Sequence, residues 1–363
     1  MKFLFLNSHA HFALDPAATR VSGGAELQVA LLARELARLG HDALIVGGDT
    51  GQRDGVVLDG VRTRVGGKFQ TGGLADTLRA LPRVLRIVRG ERPDFVGILG
   101  WTTWLWFLHL FKKWNRYQLV FICGLDTEVN GGFRRENPVR GALFESAMRK
   151  SDARFAMTEH QRDLFQRTGM ECGLYRNLIL PRRHPRTVAK DVDFLWVARC
   201  RTFKHPQMFL DLAERLPSAR FAMICPNEDA ALWNAVESRA GKMLNVEFHE
   251  RVPYHTIQEF YDRARVFVNT SEYEGFANSF IQAGQGGAAI LSFEVDSDGV
   301  LSRHGAGICA QRDETRFFAV AGELVNERDK LATMQRASSR FVDDVLDNNK
   351  NVEAFLKGLP PPR

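Results

Sequence analysis

Short apolar runs alternate with helical patterns along most of the chain, and this alternation restricts the fold more than any other feature. Residues 2–6 form an apolar run of strand length. Beyond Ser22-Gly-Gly-Ala-Glu26, Val29, Leu32, Leu36 and Leu39 recur at three- and four-residue spacing, one apolar helix face that Gly40 ends. A strand at 43–46, a helix around 78–88, a strand at 95–99, a helix around 103–113 and a strand at 118–122 continue the pattern. Strands this apolar are buried on both faces, as in a parallel sheet covered by helices. The stretch Pro181-Arg-Arg-His-Pro-Arg-Thr-Val-Ala-Lys190 interrupts it with two prolines, a cluster of cations and no periodicity, and reads as a linker. The alternation then resumes, with strands at 194–197, 221–224, 246–248, 266–269 and 289–292 and helices at 206–216, 230–239, 256–264 and 278–284. The expected fold is α/β, two doubly wound domains facing across a cleft at their strand ends. The expected boundaries are residues 1–185 and 191–340, with 341–363 a C-terminal helix placed to cross back to the first domain.

Composition narrows the class. With 363 residues, 45% hydrophobic and 25% charged, the chain can bury a core, which excludes disorder as its main state. Its five cysteines form no Cys-x-x-Cys pair and read as reduced thiols of a cytoplasmic protein. The apolar start is too short for a signal peptide, and His9, His11 and Asp15 follow it. The net charge of +6 is unevenly spread: residues 1–190 hold 29 Lys and Arg against 18 Asp and Glu, a net +11, while the rest hold 20 against 25, a net −5. A basic half attracts anionic lipid headgroups, phosphorylated acceptors or nucleic acid. No nucleic-acid recognition motif accompanies it, so nucleic acid is not expected as a partner.

Several familiar motifs are absent. No Gly-x-Gly-x-x-Gly follows the first strand, and neither a P-loop nor a His-Glu-x-x-His helix occurs. His9 and His11 lack a third ligand nearby, so no metal site is expected. Four features converge instead. Gly23 and Gly24 open a helix after the first strand, where free N–H groups and the helix dipole favour phosphate, although Gly-Gly also serves in plain turns. Arg199 and Lys204 follow the strand at 194–197 and suit a diphosphate. In Thr270-Ser-Glu-Tyr-Glu-Gly-Phe-Ala-Asn278 a loop leads into a helix. Its amides from Gly275 through Phe276 and Ala277 to Asn278 can meet a sugar or phosphate, Glu274 can accept from hydroxyls, and Gln282 lies two turns along the helix. Finally, Val120-Phe-Ile-Cys-Gly-Leu-Asp126 is a strand running through a glycine turn to a carboxylate. Together these point to a nucleotide or phosphosugar bound in a cleft.

The same residues resemble a known family. Gly23-Gly-Ala-Glu26, Arg199 with Lys204, Ser271-Glu-Tyr-Glu-Gly-Phe-Ala-Asn-Ser-Phe-Ile-Gln282, Arg92-Pro-Asp-Phe-Val96 and Ala156-Met-Thr-Glu-His-Gln161 resemble segments of the family 4 glycosyltransferases. That resemblance implies the GT-B architecture of two Rossmann-like domains and retaining, metal-independent transfer from a nucleotide-sugar. It implies that Arg199 and Lys204 stabilise the departing diphosphate, that Gly23 and Gly24 approach the same phosphates, and that Glu274 with the amides after it holds the donor sugar. Without a metal, cations and oriented N–H groups must absorb the charge on the leaving group. Two positions depart from the family pattern. Gln282 stands where a second glutamate is usual, and Cys123 where many relatives place a histidine before Gly-x-Asp, which leaves Asp126 as the active-site carboxylate of that turn. Ser292-Phe-Glu-Val-Asp-Ser-Asp-Gly-Val300 resembles the subgroup that builds exopolysaccharide or cell-surface glycan. The expected acceptor is therefore a glycan or a lipid-linked sugar, bound by the first domain. A catalytically silent relative acting as an assembly module, or a nucleotide-sugar epimerase of the same fold, are the alternatives.

Residues 97–111 are the most apolar stretch, and Lys112, Lys113, Trp114, Arg116 and Tyr117 follow directly, so residues 101–117 are the segment expected to contact an anionic membrane. Aromatics beside cations suit a helix lying in a membrane interface, and burial against the first sheet is the other reading. The expected location is the cytoplasm, at the inner face of the membrane.

Overall fold

The computed structural model describes residues 1–15, 23–69, 74–180, 188–253 and 256–362, without the side chains of 344 and 345. Ser22 and residues 181–187 of the expected linker lie outside the described residues. The chain divides into two units, Met1–Leu180 with Asn348–Arg363, and Pro181–Asp347.

The first unit is built on eight strands: β1 (Lys2–Leu6), β2 (Asp42–Gly47), β3 (Val57–Leu58), β4 (Val61–Val65), β5 (Phe95–Leu99), β6 (Gln118–Ile122), β7 (Ala153–Ala156) and β8 (Gly173–Leu174). Their order is β3-β4-β2-β1-β5-β6-β7-β8, parallel throughout except for the β3–β4 hairpin. The order reverses between β1 and β5, which places this unit's topological switch point at their carboxyl ends. Helix Gly24–Arg38 stops as its sequence dictates. Gly40 takes φ +83, its N–H reaches the Ala37 carbonyl, and the His41 N–H reaches that of Leu36, a Schellman motif. The C-terminal helix Asn348–Lys357 belongs to this unit. Its Phe355 is fully buried, 4.7 Å from the Phe155 ring and 5.5 Å from that of Tyr175. The segment before the linker is tied down twice by paired bonds. The Gln28 amide accepts from the Leu178 N–H at 2.7 Å and donates to its carbonyl at 2.9 Å, and Asn348 does the same at Ile179, at 2.8 and 2.9 Å.

The second unit holds β9 (Val192–Val197), β10 (Phe221–Ile224), β11 (Val246–His249), β12 (Ala264–Asn269), β13 (Ala289–Ser292) and β14 (Gly307–Cys309). All pairings are parallel, in the order β11-β10-β9-β12-β13-β14, with the switch point between β9 and β12. Helix Asn278–Gly286 is wedged between two others because its glycines permit close approach. A Cβ on Gly284 would stand 2.7 Å from the Ser338 carbonyl of helix Arg328–Val345, and one on Gly286 would strike the Tyr261 backbone. The loop that opens this helix thereby has a rigid base.

Candidate functional site

In the second unit two loops meet at the switch point, residues 198–205 after β9 and residues 270–277 after β12. A buried chain of bonds locks them together. Trp196 Nε1 donates to Thr270 Oγ1 at 2.8 Å, and that hydroxyl donates in turn to the Lys204 carbonyl. The Glu272 N–H reaches the Phe203 carbonyl at 3.0 Å, and the rings of Phe203 and Tyr273 stack at 4.7 Å, 9° from parallel. Two charge pairs complete the junction. The Lys204 ammonium pairs with Glu274 Oε1, which also accepts from Ser271 Oγ at 2.9 Å, and His205 Nε2 lies 2.8 Å from Glu272 Oε1. Lys204 is only 8% exposed, so its charge is partly desolvated and its electrostatic reach is greater than that of a surface lysine. His205 sits at φ +45 immediately before Pro206, a left-handed conformation held by its neighbours, of the kind that collects at ligand-binding loops.

The remaining expected donor residues occupy distinct places. Arg199 does not join Lys204. It shares the Glu228 carboxylate with Arg201, at 3.1 Å, on the exposed side of the loop. The side chains of Phe276 and Ala277 point inward, Phe276 stacking on Phe341 at 6.3 Å, so these two residues can offer a ligand only their backbone. The Ala277 N–H is already committed to Ser297 Oγ at 3.2 Å, and the same hydroxyl donates to the Gly275 carbonyl at 3.1 Å. That corrects the expectation that all four amides of the turn face a ligand. The Gly275 and Phe276 N–H groups have no partner among the described residues. Asn278 and Gln282 are half-buried on helix Asn278–Gly286, and the Gln282 carbonyl accepts from Gln258. Ser297, His205 and Glu272 were missed in sequence because hydroxyl, imidazole and carboxylate groups in loops carry no periodic signal.

In the first unit, Gly23 caps helix Gly24–Arg38 in an extended conformation. The Glu26 carboxylate, at the third helical position, folds back over Gly23 so closely that a Cβ there would collide with it. A carboxylate therefore lies against the Gly23 backbone, while Gly24 is exposed. Asp126 lies at the carboxyl end of β6, in the turn Asp126–Glu128, with its Oδ2 3.5 Å from His160 Nε2. Cys123 is fully buried, and burial pushes its thiol well above the ordinary range, so it is no nucleophile at neutral pH. All five cysteines are free. Among the described residues no group of three or more His, Cys, Asp or Glu side chains is placed to hold a metal ion.

The stretch 101–117 divides into core and surface. Lys112 is buried, bonded to Asp152 at 2.9 Å and to the Lys150 carbonyl at 2.7 Å. Trp104 and Tyr117 are buried too, the Tyr117 hydroxyl donating to the Leu108 carbonyl at 2.6 Å. These three residues are thereby removed from any membrane-facing set. Leu110, Lys113, Trp114 and Arg116 remain exposed, Trp114 at 75%, and the adjoining helix Pro138–Arg149 adds exposed Val139, Arg140 and Leu143. Among the described residues no helix is long and apolar enough to cross a membrane.

Two parallel-sheet units, each with a switch point, and a lysine–glutamate pair at the second of them define a two-domain α/β ligand-binding protein. Comparison with known proteins specifies it. Residues 23–173 match the Glycosyl transferase 4-like domain and residues 191–327 match Glycosyl transferases group 1, so the chain belongs to the glycosyltransferases of the GT-B fold. Among solved structures it is similar to sucrose-phosphate synthase from Thermosynechococcus elongatus, at 13% identity and TM-score 0.78 over 98% of both chains. It is similar to the trehalose-6-phosphate synthase OtsA, at 13% identity and TM-score 0.75 over 100% of both. Anabaena HepE in complex with UDP-glucose matches at 14% identity and TM-score 0.72, over 98% of this chain and 100% of that one. No curated protein matches the chain.

Proposed function

We propose that this chain transfers a sugar from a nucleotide-sugar to a glycan or lipid-linked acceptor in polysaccharide synthesis, with retention of configuration and without a metal. The second unit holds the donor and the basic first unit holds the acceptor. The observation that carries this reading is the desolvated Lys204–Glu274 pair at the switch point of the second sheet. An ammonium there binds the diphosphate as it departs, and the carboxylate it releases accepts from sugar hydroxyls. The unpartnered N–H groups of Gly275 and Phe276 add oriented dipoles beside the same pair. Arg199 contributes by leaving Glu228 for the β-phosphate, Asp126 supplies the carboxylate of the acceptor side, and Gln282 bonds the ribose. HepE was solved with UDP-glucose, which makes UDP-sugars the first donors to try. The test follows release of nucleoside diphosphate from UDP-, GDP- and ADP-sugars and looks for transferred sugar in glycan or lipid extracts. Transfer with one donor class supports the reading. Binding without turnover would indicate a silent module, and conversion of the nucleotide-sugar into its epimer without net release of nucleoside diphosphate an epimerase.

We further propose that the first unit contacts an anionic membrane surface through the exposed remainder of its apolar stretch. The specific observation is two exposed apolar pairs one helical turn apart, Leu110 with Trp114 and Val139 with Leu143, beside Lys113, Arg116 and Arg140. Co-sedimentation with anionic liposomes but not neutral ones is expected, and equal recovery with both would overturn it.

A further inference from the structure

One buried carboxylate has no part in the site described above. Glu128 is 7% exposed, yet both its oxygens are engaged: Oε1 accepts the Trp101 N–H at 2.7 Å and Oε2 the Gly124 N–H at 2.8 Å. Trp101 follows β5 and Gly124 follows β6, neighbouring strands in the register Leu99 with Ile122. Two glycines make room for it. Gly100 takes φ +77, and a Cβ there would stand 3.4 Å from Glu128 Oε1, while one on Gly124 would stand 3.3 Å from the Gly100 Cα. A single side chain thus joins the loop at the switch point of the first sheet to the turn after β6. That turn also carries Asp126, part-exposed beside His160. Enclosing a carboxylate is costly unless its bonds do what an apolar residue cannot. Burial pushes the Glu128 carboxyl up to about 7, and the N–H groups of Gly124, Leu125 and Trp101 oppose that rise, as expected of donors that favour the ionised form.

We propose that Glu128 is a positioning residue, fixing the loop after β5 and the turn bearing Asp126 as one rigid surface on which Asp126 and His160 meet a hydroxyl of a polyol acceptor. The inference rests on the proposed glycosyl transfer. Glu128→Gln keeps the shape but sets an amide donor against one of the two N–H groups. Hydrogen exchange at Trp101 and Gly124 should then quicken about tenfold or more, as expected when a local bond opens. The kcat for UDP release from UDP-glucose should fall by about tenfold while KM for UDP-glucose stays within about twofold, because the donor loops are untouched. Glu128→Asp keeps the carboxyl group and should recover part of the rate; it serves as the second variant should the glutamine form fold poorly. Unchanged exchange at both amides, or unchanged kcat, would overturn the proposal, as would a rise in KM as large as the fall in kcat. If the wild type releases no UDP from UDP-glucose, the donor reading is at fault. Exchange alone then decides: faster exchange in Glu128→Gln supports the bracing role, and wild-type rates overturn it.

Discussion

The Lys204 ammonium pairs with the Glu274 carboxylate at the carboxyl ends of β9 and β12, where the strand order of the second sheet reverses. Each residue neutralises the other in a partly desolvated setting, so an arriving diphosphate must share the ammonium or displace the carboxylate. Lys204→Ala is therefore expected to cut turnover by roughly 100-fold or more, comparable with loss of an oxyanion-hole donor. Glu274→Gln is expected to spare nucleotide binding and weaken the sugar's contribution. Steady-state kinetics with the donor decide, and near-normal rates in Lys204→Ala would contradict the diphosphate role.

Ser297 holds the Gly275–Ala277 turn from both sides, accepting one N–H and donating to one carbonyl. Ser297→Ala should cost about 1 kcal/mol of stability. It should also weaken UDP-glucose binding more than UDP binding, since the turn is assigned to the sugar. Parallel titrations with both ligands read the difference, and equal effects would argue against that assignment.

Gly284 lies where helix Asn278–Gly286 meets helix Arg328–Val345, with the Ser338 carbonyl 2.7 Å from where a Cβ would stand. Gly284→Val should lower stability by about 1–3 kcal/mol through overpacking. A thermal melt at unchanged ionic strength measures it, and an unshifted midpoint would contradict the close packing.

Two carboxylates give opposite pH dependences, the buried Glu128 and the half-buried Glu91. Burial lifts Glu128 to about 7, so its contribution to stability is full below the ordinary glutamate value and lost as pH rises through 7. For Glu91, burial works upward, but the bonds from Arg62 and Lys2 prevail and hold it at about 2, so its contribution is present at neutral pH and lost as pH falls toward 2. Urea unfolding of wild type and Glu128→Gln from pH 5 to 8 should show the wild type losing on the order of 3 kcal/mol relative to the variant. Parallel curves would contradict the lifted Glu128.

Much of the fold was legible because buried parallel strands are short apolar runs. Residues 2–6, 95–99, 118–122, 221–224 and 289–292 are strands with the expected limits, and Gly40 ends its helix as its sequence predicts. Several of the pieces that escaped notice carry a weak signal. β3, β8 and β14 are two or three residues long, and β4 alternates Val with Arg and Thr at the sheet margin. Helix Leu74–Glu91 was expected around 78–88 and runs on through Pro82, four residues longer at its start and three at its end. Residue types marked Lys204 and Glu274 in advance, but not their pairing, which depends on two loops 70 residues apart. Nothing in the sequence separated buried Lys112 from exposed Lys113, or indicated that Glu26 would lie over Gly23. Glu128 carried no signal at all, because the two glycines that admit it follow different strands.

Binding of a nucleotide-sugar to the second unit through Lys204 is read by titration calorimetry of wild type and Lys204→Ala with UDP-, GDP- and ADP-sugars. The wild type is expected to bind sugars of one base, and Lys204→Ala to bind them about tenfold or more weakly, a loss of at least about 1.4 kcal/mol. Failure of the wild type to bind any of these donors, or equal affinity in the variant, would contradict it.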